Sequence, residues 1–438
     1  MKITFVMPRL IDGWSADAMQ PLAFAILAGL TPPDVELELL DERLEPIPVD
    51  HDTDLVALTV ETFAARRAYQ IATQFRQRGI PVVMGGYHPS LQPEEALTYA
   101  DAIVIGDAEG VWTQLVCDTR KGKLQRIYTD PKQPSLDGLK FDRSIFEGKR
   151  YRPLIPVQFG RGCRFTCDFC SVHTFYGSQT RYRPVTEVVA EIEALDSRNL
   201  AFIDDNLLVD PSRAEDLLRA LIPLNIRWGC QVSIDVVGNT RLLDLMARSG
   251  CFAVTIGFES LNRDNLELMR KGWNLKHGDY ETAIRELCDR GIMIYASFIF
   301  GYDHDTVDTF DAIAEFAIRS RFALVNLIPL NPMPGTKLYS RLQDESRLIF
   351  ERWWLDPSYR FGQASFRPHQ MTPEELAEGC LRAKEAFYGY RSMLMRSAHL
   401  MRSTRSIYRL GFFLVVNLAA RHALSRKIGH RLGTDTPL

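Results

Sequence analysis

The chain has 438 residues, 46% hydrophobic and 24% charged, with a formal net charge of −3 at pH 7. That length predicts several domains whose core needs no disulfide or metal staple. The balance excludes collagen-like, disordered and disulfide-scaffold chains, and the whole lacks the basic excess of a nucleic-acid-binding protein. Eight cysteines (Cys117, Cys163, Cys167, Cys170, Cys230, Cys251, Cys288 and Cys380) are too sparse for a disulfide framework, yet three fall within eight residues.

The first segment, 1–135, alternates strand and helix patterns. Its opening residues, MKITFVMPRL, read as a strand and lack the apolar core and cleavage site of a signal peptide. Apolar runs at 54–60, 80–86 and 101–107 predict three more strands. Between Phe63 and Arg78 the spacing of Ala65, Ala68, Ile71, Ala72 and Phe75 predicts a helix that Gly79 ends, and PEEALTYA predicts a short one. Such alternation predicts a Rossmann-like parallel sheet whose ligands sit beyond the carboxyl ends of the strands, at the loops 60–63, 85–90 and 106–110.

A proline- and charge-rich stretch reads as a linker at 136–155. From 156 to 340 the alternation resumes. PVQFG, LAFIDDN, IRWGCQVS, FAVTIGF, IMIYASFIF and ALVNLIPL are six candidate strands, which predict a separate, full or partial TIM-like barrel. The remainder, 341–438, reads as a helical C-terminal region, with Pro373 in the first turn of one amphipathic helix. Residues 391–438 hold nine basic residues and one acid, Asp435, so this tail is about +8 while the rest is about −11. Its apolar stretch LGFFLVVNLAA (410–420) is shorter than a membrane span, and no run of 18 apolar residues exists. The tail suits a helix packed on the barrel, a helix on an anionic membrane surface, or a nucleic-acid contact. The reading is an intracellular, reduced protein, in the cytoplasm or at the inner face of a membrane.

The sequence FGRGCRFTCDFCSVHTFYG places Cys163, Cys167 and Cys170 in C-x3-C-x2-C spacing just after a predicted strand. Three thiolates suit a [4Fe–4S] cluster whose fourth iron takes a distant cysteine or is left open for another ligand; three unrelated core cysteines are the bland alternative. His173, three residues on, keeps a zinc site as an alternative.

This motif, with the RYRP that follows at 181–184, resembles the radical S-adenosylmethionine (radical SAM) superfamily. The resemblance implies that Cys163, Cys167 and Cys170 hold a [4Fe–4S] cluster whose open iron binds S-adenosylmethionine (SAM). Reductive cleavage then gives a 5′-deoxyadenosyl radical that abstracts hydrogen from substrate. It further implies SAM contacts at Asp204, Asp205 and Asn206 of FIDDN, Ser233 and Asp235 of QVSID, Gly257 and Glu259 of TIGFES, and Gly301 of SFIFGY. NPMPGTKLY (331–339) resembles the segment that closes the barrel domain. The usual glycine–glycine–glutamate of the second strand is absent.

The first segment resembles the cobalamin-binding domain that precedes one large radical SAM class, through DLVALTVETF, RGIPVVMGGYHPSLQPEEAL and ADAIVIGDAEGVW. It implies cobalamin contacts at Thr59, Thr62, Gly85, Gly86 and His88. The Asp-x-His-x-x-Gly cobalt-ligand motif is absent, and His88 reads as a loop residue. For this class the resemblance implies cobalamin-dependent methylation of an unactivated carbon of a small-molecule or lipid-like substrate, with an electron donor such as flavodoxin or ferredoxin. Cyclisation, rearrangement or oxidation without methyl transfer stays open, and the catalytic residue is unassigned, Cys288 and Tyr302 being unranked as radical quenchers. A tRNA methylthiolase would carry three more cysteines in its first domain, where only Cys117 stands. A cobalamin- or light-sensing protein with a structural cluster is the alternative outside enzymes.

Overall fold

The apolar runs of the first segment become a six-stranded parallel sheet in the computed structural model, which describes residues 1–13, 18–48, 50–276, 278–404 and 407–438. Its strands are β1 (Lys2–Met7), β2 (Glu36–Asp41), β3 (Leu55–Thr59), β4 (Val82–Gly85), β5 (Ala102–Ile105) and β6 (Ile127–Thr129), in the order β2-β1-β3-β4-β5-β6. The four expected strands are present. β2 and β6 were not expected: both lie at a sheet edge, β2 mixes charged with apolar residues, and β6 is only three residues, Ile-Tyr-Thr. Side chains alternate between two buried layers: Leu55 and Ala57 face one, Val56 and Leu58 the other. The strand order reverses between β1 and β3, which opens a crevice at the carboxyl ends there.

A second parallel sheet follows. β7 (Ile155–Val157) leads to a short antiparallel ladder of β8 (Gly160–Arg161) and β9 (Arg181–Tyr182). The sheet continues through β10 (Asn199–Phe202), β11 (Arg227–Val232), β12 (Cys251–Glu259), β13 (Met293–Phe300) and β14 (Leu324–Pro329). The order β7-β10-β11-β12-β13-β14 follows the chain and the sheet stays open, so the unit is a six-stranded partial barrel built on all six expected strands. Helices Val185–Glu193, Pro211–Leu221, Thr240–Arg248, Tyr280–Asp289 and Asp308–Arg319 run between consecutive strands and feed one continuous core.

Helix Pro373–Phe387 begins at a capping box of Thr372 and Glu375, with Pro373 at its first position as expected. The Phe310 ring takes the place of a side chain at Gly379, so this helix sits close against Asp308–Arg319. Tyr388 Oη bridges the backbone N–H and carbonyl of Val325 in the edge strand β14, at 3.1 and 2.7 Å. The helical region is broken at 345–372 by a strap that returns to the first domain, where Trp353, Trp354 and Tyr359 enter its core.

The apolar tail differs from expectation. The helix there runs over Ile407–Lys427, and its Ile407–Leu424 window is long and apolar enough to cross a membrane by length and composition. Ile407, Tyr408, Ala423 and Leu424 extend the run read as 410–420.

Candidate active site

The cysteine loop leaves the barrel at the carboxyl end of β7. Gly162 has φ +90, and a Cβ there would stand 2.0 Å from the Gln179 carbonyl, so only glycine makes this turn. The loop is pinned from both sides. The Phe165 ring stacks on Trp273 at 3.7 Å, and the Asp168 carboxylate accepts a 2.7 Å bond from Tyr302 Oη. Cys170 opens helix Ser171–Tyr176, whose Val172 and His173 amides face its sulfur. Burial pushes all three thiols up, Cys167 to about 12. Against that, the Lys271 ammonium favours the thiolate at each of the three. Burial alone would lower Lys271, but Glu259 and Cys167 hold it above its ordinary value.

This donor set fits the group that the motif implies. Bare thiolates are costly at such a site, and iron ligation removes that cost. A single zinc ion needs its ligands in one coordination sphere. Among the described residues no three His, Cys, Asp or Glu side chains are gathered that way. A cluster asks for less, since each thiolate meets its own iron.

Strand ends supply the polar rim, with unequal roles. Asp204 is spent on the fold: its carboxylate accepts the backbone N–H of Phe159 at 3.1 Å and that of Gly160. Burial raises it to about 7. Asp205 accepts the Gly162 N–H at 2.8 Å, and Tyr87 Oη approaches it to 3.5 Å. Asn206 Nδ2 lies 3.9 Å from Cys163 Sγ and donates to Ser233 Oγ at 2.8 Å, while Ser233 in turn bonds Asp235. Asp235 pairs with Arg164 of the cysteine loop at 2.7 Å.

Glu259 ends β12 with φ +64 and is paired with Lys271 at 2.8 Å, both nearly buried. Gly257 makes room for this pair: a Cβ there would stand 2.1 Å from Glu259 Oε1 and 2.8 Å from Lys271 Nζ. Glu259 Oε2, Asn206 Oδ1, Trp273 Nε1 and Asn274 Oδ1 are buried with no hydrogen-bond partner among the described residues. Such orphaned atoms, all on residues around the cysteine loop, suit a polar ligand such as SAM. Gly301 lies elsewhere. Its φ is +107, and Leu376 and Phe366 stand where its Cβ would be, so what approaches it is helix Pro373–Phe387 and the strap.

A cavity of about 420 Å³ opens between the two sheets. Thr59, Gly85, Gly86 and Gly106 line it from the first domain, and Gln158, Arg161, Ile203 and Asp205 from the barrel. Gly106 has φ +81 and nothing among the described residues within 4 Å of a would-be Cβ, which leaves a backbone cradle for a large flat group. Glu61 also faces the cavity. Arg161 ties the domains together through Asp107 at 3.1 Å and Glu109 at 2.6 Å.

Two expected cavity residues are not there. His88 is not a loop residue: it lies in helix Tyr87–Leu91, fully buried, with Nε2 3.0 Å from Glu95 and Nδ1 3.3 Å from Thr62 Oγ1. Thr62 is buried beside it. Glu95 also accepts bonds from Tyr69 Oη at 3.1 Å and from Trp354 Nε1 of the strap at 3.0 Å. The site residues that the sequence reading missed are Lys271, Trp273, Asn274, Tyr87 and Glu61. The only local signal was a lysine beside glycine and tryptophan in RKGWN.

Residues 157–317 match the model of the radical SAM superfamily, and residues 19–116 that of the B12 binding domain. Two relatives come from Chlorobaculum tepidum. The bacteriochlorophyllide d C-12(1)-methyltransferase is 30% identical, over 87% of this chain and 85% of its own. The bacteriochlorophyllide d C-8(2)-methyltransferase is 30% identical, over 76% of this chain and 78% of its own. Among solved structures, the radical SAM methyltransferase TsrM from Kitasatospora setae, with cobalamin and a [4Fe–4S] cluster bound, superposes with a TM-score of 0.63 at 18% identity, covering 78% of each chain.

Proposed function

Because the chain belongs to the radical SAM enzymes that carry an N-terminal B12-binding domain, we propose that it methylates an unactivated carbon of a large, mainly apolar small molecule, with tetrapyrroles the first class to test. Its cofactors are a [4Fe–4S] cluster, SAM and cobalamin. When bound, they supply reductive cleavage of SAM to a hydrogen-abstracting radical and a carrier for the methyl group.

One observation carries the reading. The cysteine loop and the inter-domain cavity share a wall, because Asp205 lines the cavity while holding the amide of Gly162, next to Cys163. The protein's part is therefore alignment. Cys163, Cys167 and Cys170 would hold the cluster, and Lys271 keeps positive charge beside their sulfurs. Glu259 Oε2 and Asn206 Oδ1, buried and without a partner among the described residues, are offered to the polar end of SAM. Tyr87, Phe175 and Ile203 give the cavity an apolar lining. Tyr302 is buried and bound to Asp168, which makes it a support of the cysteine loop and not a radical quencher at the substrate.

The substrate class is supported by the two relatives that act on bacteriochlorophyllide d. A reduced flavodoxin or ferredoxin is the electron donor of this reading, and a reduced compartment keeps the three thiols available. The test is anaerobic incubation of the reconstituted enzyme with methyl-deuterated SAM, reductant, cobalamin and a chlorophyllide panel. A mass gain of one labelled methyl on a side-chain carbon is expected. An oxidised or cyclised product without label would overturn methyl transfer.

A further inference from the structure

We propose that the C-terminal helical hairpin is an interfacial anchor that lays the amino-terminal end of the barrel on an anionic bilayer. Helices Tyr390–Thr404 and Ile407–Lys427 run antiparallel, since Arg421 near the end of the second covers the Tyr390 ring at the start of the first, 4.5 Å from its centroid. One face of the pair is locked to the barrel. Arg396 is buried and bonds the carbonyls of Phe322, Ala323 and Phe387 and the side chain of Asn417, which itself donates to Ala323 at 2.9 Å. Phe413 packs beside them on Phe252 and Met293, at the first residues of β12 and β13. The hairpin thus covers the end of the barrel opposite the cysteine loop.

The other face is apolar and bare. Leu394 is 69% exposed, Met395 52%, Val415 67% and Leu418 50%. These residues share a face at helical spacing, and the same face carries exposed Arg391 and Arg426 at one end. Residues 386–434 contain no acid at all. An apolar stripe bordered by arginines without one carboxylate matches a negatively charged headgroup layer over acyl chains. It does not match the mixed-sign rim of a protein partner.

The lock also decides between lying on a membrane and crossing it. Although Ile407–Leu424 passes the length and composition test for a span, Asn417 in its middle is tied to the barrel backbone through Arg396 and Ala323. A spanning helix would have to break that buried network, so the helix lies flat.

The test is flotation of the anaerobically purified, cluster-loaded full chain with vesicles of phosphatidylcholine alone or with 30 mol% phosphatidylglycerol. Binding to the anionic vesicles is expected, falling about fivefold for each of Arg391→Gln and Arg426→Gln. Val415→Asp with Leu418→Asp should cut it at least about tenfold while circular dichroism and 5′-deoxyadenosine formation stay unchanged. Absence of vesicle binding by the folded chain would overturn the proposal, as would binding indifferent to Val415→Asp and Leu418→Asp. A dimer that the same pair splits, without vesicle binding, would assign the face to a second copy of the chain. Duplex DNA binding without vesicle binding would assign the charge to nucleic acid.

Discussion

Replacing Lys271 by methionine isolates the polar centre of the site. The pair Glu259–Lys271 is 2.8 Å apart and nearly buried. At an effective dielectric constant of 20 its Coulomb energy is about 6 kcal/mol, largely offset by desolvating both ions. Lys271→Met strands Glu259, whose Oε2 already lacks a partner among the described residues, and should cost about 3–5 kcal/mol of stability. Adding Glu259→Gln removes the stranded charge, so the double variant should recover at least about 2 kcal/mol of that loss. Equilibrium urea unfolding of the four apo-proteins under anaerobic conditions, followed by tryptophan fluorescence, reads the cycle. Activity should behave differently: neither the single nor the double variant should make 5′-deoxyadenosine at the wild-type rate. Additive stability effects, within about 0.5 kcal/mol, would refute the buried-pair argument. Wild-type activity in the double variant would refute a role at the cofactor.

Further outcomes follow from the same geometry. His88→Ala should lower stability by about 2 kcal/mol through Glu95 and Trp354. It should also leave the electron paramagnetic resonance spectrum of bound cob(II)alamin unchanged, because His88 is enclosed at Glu95; an altered axial nitrogen splitting would contradict this. Gly85→Leu puts a side chain into the cavity that Gly85 lines and should lower retained cobalamin at least about tenfold by absorbance, the first domain staying folded; undiminished retention would place cobalamin elsewhere. Gly301→Ala meets Leu376 and Phe366 in a left-handed conformation and should destabilise by about 2 kcal/mol while SAM affinity, by equilibrium dialysis, stays at the wild-type value. Asp204, raised to about 7 by burial, binds its proton more tightly folded than unfolded, so its stabilising contribution is full below about pH 4 and is lost as pH rises through 7. Asp204→Asn should flatten that part of the urea-stability profile between about pH 4 and pH 7; an unchanged slope would show that another group titrates there.

The three cysteines and the barrel strands were legible because their signals are local. Thiolate spacing is written within eight residues, and each barrel strand is a continuous apolar run. β2 was illegible because that edge strand mixes charged and apolar residues, and β6 because three residues, Ile127–Thr129, are too short a run to show a period. Lys271 gains its meaning only when the fold brings it, from a loop about a hundred residues downstream, against Cys167 and Glu259. The sequence reads His88 as a loop residue of GGYHPS. The glycines do turn the chain, but Tyr87–Leu91 is helical and directs the imidazole inward to Glu95, seven residues on. Gly301 was read as leaving space for a cofactor, whereas Leu376 and Phe366 from beyond the barrel take up that space. Trp353 and Trp354 looked like part of a helical tail until the strap placed them in the core of the first domain.

The most direct test of the central claim is product analysis after anaerobic reconstitution with iron and sulfide. The holo-protein receives SAM, dithionite and hydroxocobalamin, and a Cys163/Cys167/Cys170→Ala variant serves as control. The account predicts 5′-deoxyadenosine and S-adenosylhomocysteine from the wild type, with cobalamin retained on the protein, and neither product from the variant. A verified [4Fe–4S] protein that makes no 5′-deoxyadenosine, with or without a chlorophyllide substrate, would contradict it.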